Sequence, residues 1–590
     1  MSALACALAA ACLPSVNGNA PPECHVTTDC PLPGQVCDEG VCWGGLPSGG
    51  QWAAQIGPPS DRQSELVVTE VPELTIPDDG GFGEVIVQAP VRISGRVHFD
   101  CTNGAPSSCD PDVTVAAALT ITRPSRIAGG PGFVGTTTSV PDASGDSFAF
   151  YVPRLSLTDD PYTITITPLD VANAGATGPT PAELAPPVTI QVAASDTVQG
   201  LDVVLGKGVL RKVSGKVVDA TGAKLPGVRV FAEGRFDAAR PLERVSSVGV
   251  TNADGAYTIY IAESAFPVVD LVAHPTDYPA LTLRLTDIAA DQPTQSAHDL
   301  RLPGLGVPIA VSVPITGRTG AGDSTAIAGA VVTLTTTIHD SLDPNLTTSF
   351  LVSGATDATG QATVSVLPGS TILRDYLVGV QPPAESEFAT LYDRTIQIGP
   401  GGGVLGKIEL AHRVAVTGTL LDANGDPAQG VVIQAEPAQR LALTLDADAQ
   451  AQLKTQQRPL ATTLADGSFF VWVDPELVGK LASYDLTCDP PEGARLPRWA
   501  FRDVGVASLV ANVDLGGLVL PPGRHVRGIV TDTYGTPVPG AELRLFEIVN
   551  DPSLCGLGRL PADCILPAAL RARDRSDELG VVELVVPDSH

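Results

Sequence analysis

Positive charge is scarce in this sequence, aromatic rings are few, and no catalytic motif is present. Lys and Arg number 36 against 65 Asp and Glu, a net charge of −29, and the acids are scattered along the chain. Such a surface repels phosphate backbones and anionic lipid, so nucleic acid is excluded as a partner, and the excess charge serves solubility. Aromatic residues make up 5% of the chain, which limits ring-based binding platforms. Beyond the N-terminus no apolar run reaches the roughly 18 residues needed for a membrane-spanning helix. The eight histidines never stand four apart, so H-E-x-x-H is missing, as are G-x-S-x-G and a phosphate-binding loop. No catalytic residue, cofactor or metal is assigned. A pair of remote carboxylates, which leaves no motif, is the one enzymatic arrangement still open, in the manner of a hydrolase.

Glycine and proline are plentiful, at 60 and 52, and Val, Thr, Ile and Leu fall in short runs between them. Many short strands and turns give that profile, and 590 residues are too many for one core. The chain therefore reads as all-β and divided into several domains.

Eleven cysteines at mostly close spacing favour an oxidising compartment. Residues 1–12, MSALACALAAAC, resemble the signal and lipobox of a bacterial lipoprotein, in which Cys12 is lipidated and anchors the chain to a membrane. The match departs in two ways: no basic residue precedes the apolar run, and Leu8 lies one position too far from the cysteine. An ordinary secretory signal and a buried helix are the alternatives; under the lipoprotein resemblance, Leu13 after the cysteine, where Asp is absent, implies sorting to the outer membrane. Cys24, Cys30, Cys37 and Cys42 follow in a Pro/Gly-rich segment too short to build an apolar core. Two disulfides of unspecified pairing are expected there, with zinc as the alternative. The wording resembles small cysteine-rich modules near the N-termini of secreted bacterial proteins.

The body of the chain repeats. Residues 212–231, KVSGKVVDATGAKLPGVRVF, give a strand, a Gly/Pro turn and a second strand, and residues 251–261, TNADGAYTIYI, add an Asp-Gly turn and another strand. The first-strand glycine recurs as Gly95, Gly215, Gly317, Gly418 and Gly528, at intervals of 120, 102, 101 and 110 residues. These steps are domain-sized. A further strand ends in proline: YTITITP at 162–168, VDLVAHP at 269–275, YLVGVQP at 376–382 and YDLTCDP at 484–490. Alternate residues share a sheet face, so Ile164, Leu271, Val378 and Leu486 belong to cores, and Cys488 is expected as a buried, inert thiol. Cys101 with Cys109, and Cys555 with Cys564, lie close enough for local disulfide staples. Asp422, Asn424 and Asp426 have the opening spacing of a calcium loop, but Pro427 and Ile433 break it, and its register marks it as a first turn.

This frame, G-x-V-x-D-x-x-G-x-P-x-x-G-x-x-V, then T-x-x-D-G-x-[YF]-x-[IV], then Y-x-[LIV]-x-[VI]-x-P, resembles the carboxypeptidase regulatory-like domain. The resemblance implies transthyretin-like, Ig-like Greek-key β-sandwiches that are non-catalytic modules. The expected layout is signal 1–12, cysteine-rich module 13–50, linker 51–63, and sandwiches at 64–206, 207–305, 306–412, 413–523 and 524–590. The last lacks its Y-x-L-x-V-x-P strand, so it is short, truncated, or completed by a strand from elsewhere. The connection after the second strand varies most, and insertions there are expected either to line one side of a rod as a contact surface or merely to be tolerated. His274, on the outward column beside Pro275, and His412, at a domain junction, read as surface or linker residues, and Trp472 with Tyr260 are the only aromatic hints of a glycan face. The functional expectation is a cell-envelope lipoprotein acting as a structural or adhesive scaffold, outer-membrane-anchored, extracellular or secreted. A glycan- or protein-binding receptor is the alternative.

Overall fold

The structure, a computed structural model, describes residues 36–38, 41–43 and 51–587 except 78–79, 101–112, 142, 157, 171–179, 207–209, 220–221, 235–242, 263–267, 276–282, 290–293, 297–298, 302–308, 319–322, 340–346, 368–372, 385, 402, 446, 455, 492, 508–509 and 549–567. It is nearly all β, and each repeat folds as a two-sheet sandwich. The fourth shows the pattern most fully. Strands Val414–Leu421, Val432–Pro437, Leu460–Thr462, Ser468–Val473, Ser483–Asp489, Trp499–Gly505 and Val513–Val519 occupy positions one to seven. Positions four, one and seven form one sheet, and positions three, two, five and six form the other. Position seven runs parallel to position one, while the other pairings are antiparallel. Sandwich one repeats this order. Sandwiches two and three do so with the seventh position split into two short strands.

Recurrent polar residues hold the turns. The hydroxyl of Thr251 donates to the Leu225 carbonyl at 2.7 Å and accepts from the Val228 N–H at 2.8 Å, fastening the second turn to the first. Thr356, Thr463 and Ser576 make the same two bonds in sandwiches three, four and five. Asp422 Oδ1 accepts the N–H groups of Asn424 and Asp426, each at 2.8 Å, so the calcium-like spacing is spent on turn closure. Gly580 ends the second turn at φ 77°, and a Cβ there would lie 2.5 Å from the Val530 carbonyl oxygen, which explains the glycine. The first-strand glycine has a packing reason instead. A Cβ on Gly528 would lie 2.0 Å from the Phe82 ring.

Phe82 comes from the other end of the chain, and this corrects the expected layout. Strands Gly523–Asp532, Glu542–Glu547, Ala569–Arg575 and Val581–Pro587 fill only positions one to four of sandwich five. Strand Trp52–Gly57, within the stretch read as linker, pairs with Glu542–Glu547 and takes position five. Thr69–Leu74 and Gly81–Val87, expected in sandwich one, take positions six and seven, the last parallel to Gly523–Asp532. The strand complement is thus full, because an apolar half-core and two open edges need covering and the N-terminal segment carries the matching pattern. Trp52, Ala54, Ile56, Phe82, Val85 and Val87 pack against Val526, Val530, Leu543, Leu545, Val582, Leu584 and Val586 in one core. Sandwich one begins with Val91–Phe99. Among the described residues no helix is long and apolar enough to cross a membrane.

Ile56 is fully buried. Ile56→Ala is expected to destabilise sandwich five by about 2–5 kcal/mol. Hydrogen exchange should show protection falling in strands 523–532 and 581–587 while sandwich three is unchanged.

Candidate functional site

Of the cysteines singled out from sequence, Cys12, Cys24, Cys30, Cys101, Cys109, Cys555 and Cys564 lie outside the described residues. Cys37 and Cys42 are backbone partners across the hairpin Val36–Asp38/Val41–Trp43, and Trp43 pairs in parallel with His525 at the start of sandwich five. Their side chains lie outside the described residues as well. Cys488 is free and fully buried, and burial pushes its thiol up to about 12, which makes it unreactive.

The variable connections are described in part. Their described residues in sandwiches two and four brace each against the one before it. In sandwich two, the Val248 N–H donates to the Ala182 carbonyl at 2.7 Å, Arg244 donates to the Pro168 carbonyl at 2.6 Å, and Arg229 pairs with Asp170. In sandwich three, strand Thr347–Ala355 pairs with Leu283–Ala289 of sandwich two, joining them into one nine-stranded sheet. In sandwich four, the insertion carrying helix Ala447–Lys454 reaches sandwich three. There Gln457 donates to the Pro382 carbonyl at 2.8 Å, and the Tyr392 hydroxyl bonds Gln456.

Arg413 is the centre of this third junction. It is buried and donates to Asp474 at 2.7 Å, to the carbonyls of Ala384 and Ser386 at 2.8 Å, and to Gln457 at 2.9 Å. Beside it His412 bonds Glu387 at 3.0 Å and meets the Trp472 ring edge-on, with centroids 4.6 Å apart. His412 thus sits at the domain junction where its sequence position put it, and the half-buried Trp472 packs against it.

The contact circuit closes between sandwiches five and one. Glu70, on the donated strand Thr69–Leu74, accepts from Arg123 at 2.5 Å, from Ser125 at 2.6 Å and from the Arg126 N–H at 3.2 Å. The Glu70 and Arg123 side chains are 4% and 3% exposed, so the pair is shielded from solvent screening. Ala568 donates to the Gly129 carbonyl at 2.9 Å, and Ala53, Ile127 and Phe546 form a small apolar cluster across the same junction. Asp159 joins through Arg126. Burial opposes ionisation of Asp159, but hydrogen bonds from Arg126 and Ser156 outweigh it and hold the carboxyl below its ordinary 3.8. The five sandwiches thus touch in sequence, one to two through to five, and five returns to one.

Between sandwiches four and five lies a cleft of about 600 Å³. In a chain of net charge −29 its wall carries Arg495, Arg498, Arg544, Arg573 and Arg575 together with His525. Asp489 bridges the two sandwiches, pairing with Arg498 at 3.3 Å and Arg573 at 2.5 Å, and Glu542 pairs with Arg544 at 2.8 Å. Arg571 lies over the Trp499 ring, 4.7 Å from its centroid. Burial lowers the Arg498 guanidinium from its ordinary value and raises the Glu583 carboxyl. Four carboxylates, Asp489, Glu542, Asp574 and Glu583, share the wall with these cations, and Arg498, Arg544 and Arg573 are engaged in the ion pairs above. Neither the cleft nor the ring of junctions is legible from sequence, because the residues that form them lie outside the repeat frame.

Comparison with protein families and with curated protein sequences gives no match. Among solved structures the chain is similar to the TIE protein of Bacillus anthracis, at 10% identity and TM-score 0.16 over 72% of this chain and 73% of that one. It is also similar to a streptococcal ancillary pilin, at 10% identity and TM-score 0.16 over 55% of this chain and 99% of that one. A third is the shaft pilin SpaA of Lactobacillus rhamnosus GG, at 11% identity and TM-score 0.14 over 34% of this chain and 98% of that one. At these scores the likenesses carry no argument about function.

Glu70→Gln leaves the buried Arg123 guanidinium with only the Asp159 carboxylate, 3.8 Å away, and is expected to cost about 3 kcal/mol at the five–one junction. Arg440→Ala, whose partner pair is 74% and 36% exposed, should cost at most about 1 kcal/mol. Chemical denaturation of both variants checks the contrast. A carboxyl with a depressed folded value contributes stability that is complete above its unfolded value, near 3.8, and is lost as pH falls through the folded value. The five–one junction should therefore become protease-sensitive at acid pH, and Asp159→Asn should remove that part of the acid dependence.

Proposed function

We propose that this chain is a non-catalytic cell-envelope lipoprotein, a structural and adhesive surface scaffold built of sandwiches related to carboxypeptidase regulatory-like modules. The observation that carries the reading is where the repeated and the variable residues go. The recurrent Asp, Thr and Gly close turns, and the described residues of the variable connections in sandwiches two and four fasten each to the sandwich before it. What selection would preserve in such a chain is shape and mechanical continuity. The cysteine-rich segment joins sandwich five through Trp43 and His525. A lipid on Cys12 would therefore tether the unit near sandwich five.

A glycan-binding role is the second reading, favoured by the arginine-lined cleft between sandwiches four and five. Its chemistry fits a carboxylated saccharide held by guanidinium groups.

Two measurements test these readings. Cys12→Ala should abolish globomycin-sensitive processing and move the protein from the membrane to the soluble fraction; unchanged fractionation contradicts the anchor. On a glycan array, binding restricted to acidic saccharides and lost in Arg544→Ala/Arg575→Ala would favour the receptor reading, and a blank array the scaffold alone.

A further inference from the structure

We infer that the strands completing sandwich five can come from a second copy of this chain, so that copies link head to tail by exchanging residues 52–87. The inference rests on the shared-strand architecture and goes beyond the proposed surface role. Three observations carry it.

The donor and acceptor are joined only through the four intervening sandwiches. The hydrogen bond from Thr531 to Glu84, at 2.6 Å, spans 447 positions in sequence. Every contact between residues 52–87 and residues 523–587 is non-covalent and is chemically identical when the two segments belong to different copies. The choice between them is set by effective concentration, on the millimolar scale for well-matched tethers.

The acceptor cannot remain empty. Without its donor, strand Glu542–Glu547 loses its Trp52–Gly57 neighbour, Gly523–Asp532 loses Gly81–Val87, and Leu543, Leu545, Val526 and Val530 lose the side chains that cover them. During synthesis the donor emerges before the acceptor. Each new donor therefore exists before its own acceptor, and another copy's vacancy competes for it.

Opening the circuit breaks no local interface. Glu70 fixes the donor strands to sandwich one of the same copy through Arg123, Ser125 and Arg126. Asp489 fixes the acceptor to sandwich four of its own copy through Arg573. An exchanged assembly keeps both junctions and changes only which copy supplies each side. The contact is heterologous, since donor and acceptor are different surfaces, and such contacts generate closed rings or open filaments. The single chain, returning from sandwich five to sandwich one, is the smallest ring.

Two full-length variants test this. Ile56→Asp spoils the donor and leaves the acceptor sound, while Val530→Asp does the reverse. Refolded together in equal amounts, they are expected to form a one-to-one complex by native mass spectrometry. In that complex strand 52–57 should be protected from hydrogen exchange in the Val530→Asp copy, and strand 523–532 in the Ile56→Asp copy. Absence of the mixed complex would overturn the inference, unless either variant loses the rest of its fold. For that case wild-type chains bearing two different tags are refolded together from denaturant. A doubly tagged species whose share rises with total protein concentration supports exchange, and tag-pure monomers at every concentration overturn it.

Discussion

A seven-stranded sandwich cannot stop at four strands. Its second strand would present an unpaired edge, and its half-core would face water. Everything unusual in this molecule follows from how sandwich five meets that constraint. Its missing strands lie before sandwich one, so the chain must leave sandwich five, build four more sandwiches, and come back. The return is possible only if the junctions bend the series round to its start. The contacts of Arg229, Arg413, Asp489 and Glu70 are therefore part of the folding problem as much as of the surface.

The junctions combine two kinds of interaction. The two–three junction is a sheet extended across a domain boundary, where backbone hydrogen bonds fix register. The three–four and five–one junctions are built on buried arginines with several acceptors at the first and a shared carboxylate at the second. A buried ion pair adds little net stability against a well-packed apolar contact, yet it is costly to leave unpaired. Such pairs suit a structure in which the angle between modules must be specific. The apolar cores of the sandwiches carry stability, and the arginine junctions restrict geometry.

Fold class and repeat frame were readable because turns and cores impose chemistry at fixed spacing. Asp422 must close its turn, Gly580 must adopt a positive φ, and alternate residues such as Phe469, Val471 and Val473 must face inward. The provenance of sandwich five's strands was also written in the chain. WAAQIGP at 52–58 follows the Y-x-[LIV]-x-[VI]-x-P frame, with Trp52 for tyrosine and Ala54 and Ile56 on the inward column. The absent tyrosine is what hides it. Tyr162, Tyr376 and Tyr484 each donate a hydroxyl hydrogen bond to a carbonyl nine or ten residues upstream. At Trp52 that stretch does not precede the strand, since the chain arrives from elsewhere, and a ring without the hydroxyl serves. The arginine cleft and the junction residues were not legible, for they depend on which side chains meet across different modules and recur in no frame.

The shared fifth sandwich is tested most directly by reordering residues 51–590 so that the chain begins at Gly523, with His590 joined through a short flexible link to Gln51. In that permuted chain the seven strands of sandwich five become consecutive. Hydrogen exchange should then show residues 52–57, 81–87 and 523–532 protected as in the native order, with the other four sandwiches intact. Loss of protection in those three strands, with the rest of the molecule folded, would contradict the assignment of the N-terminal strands to sandwich five.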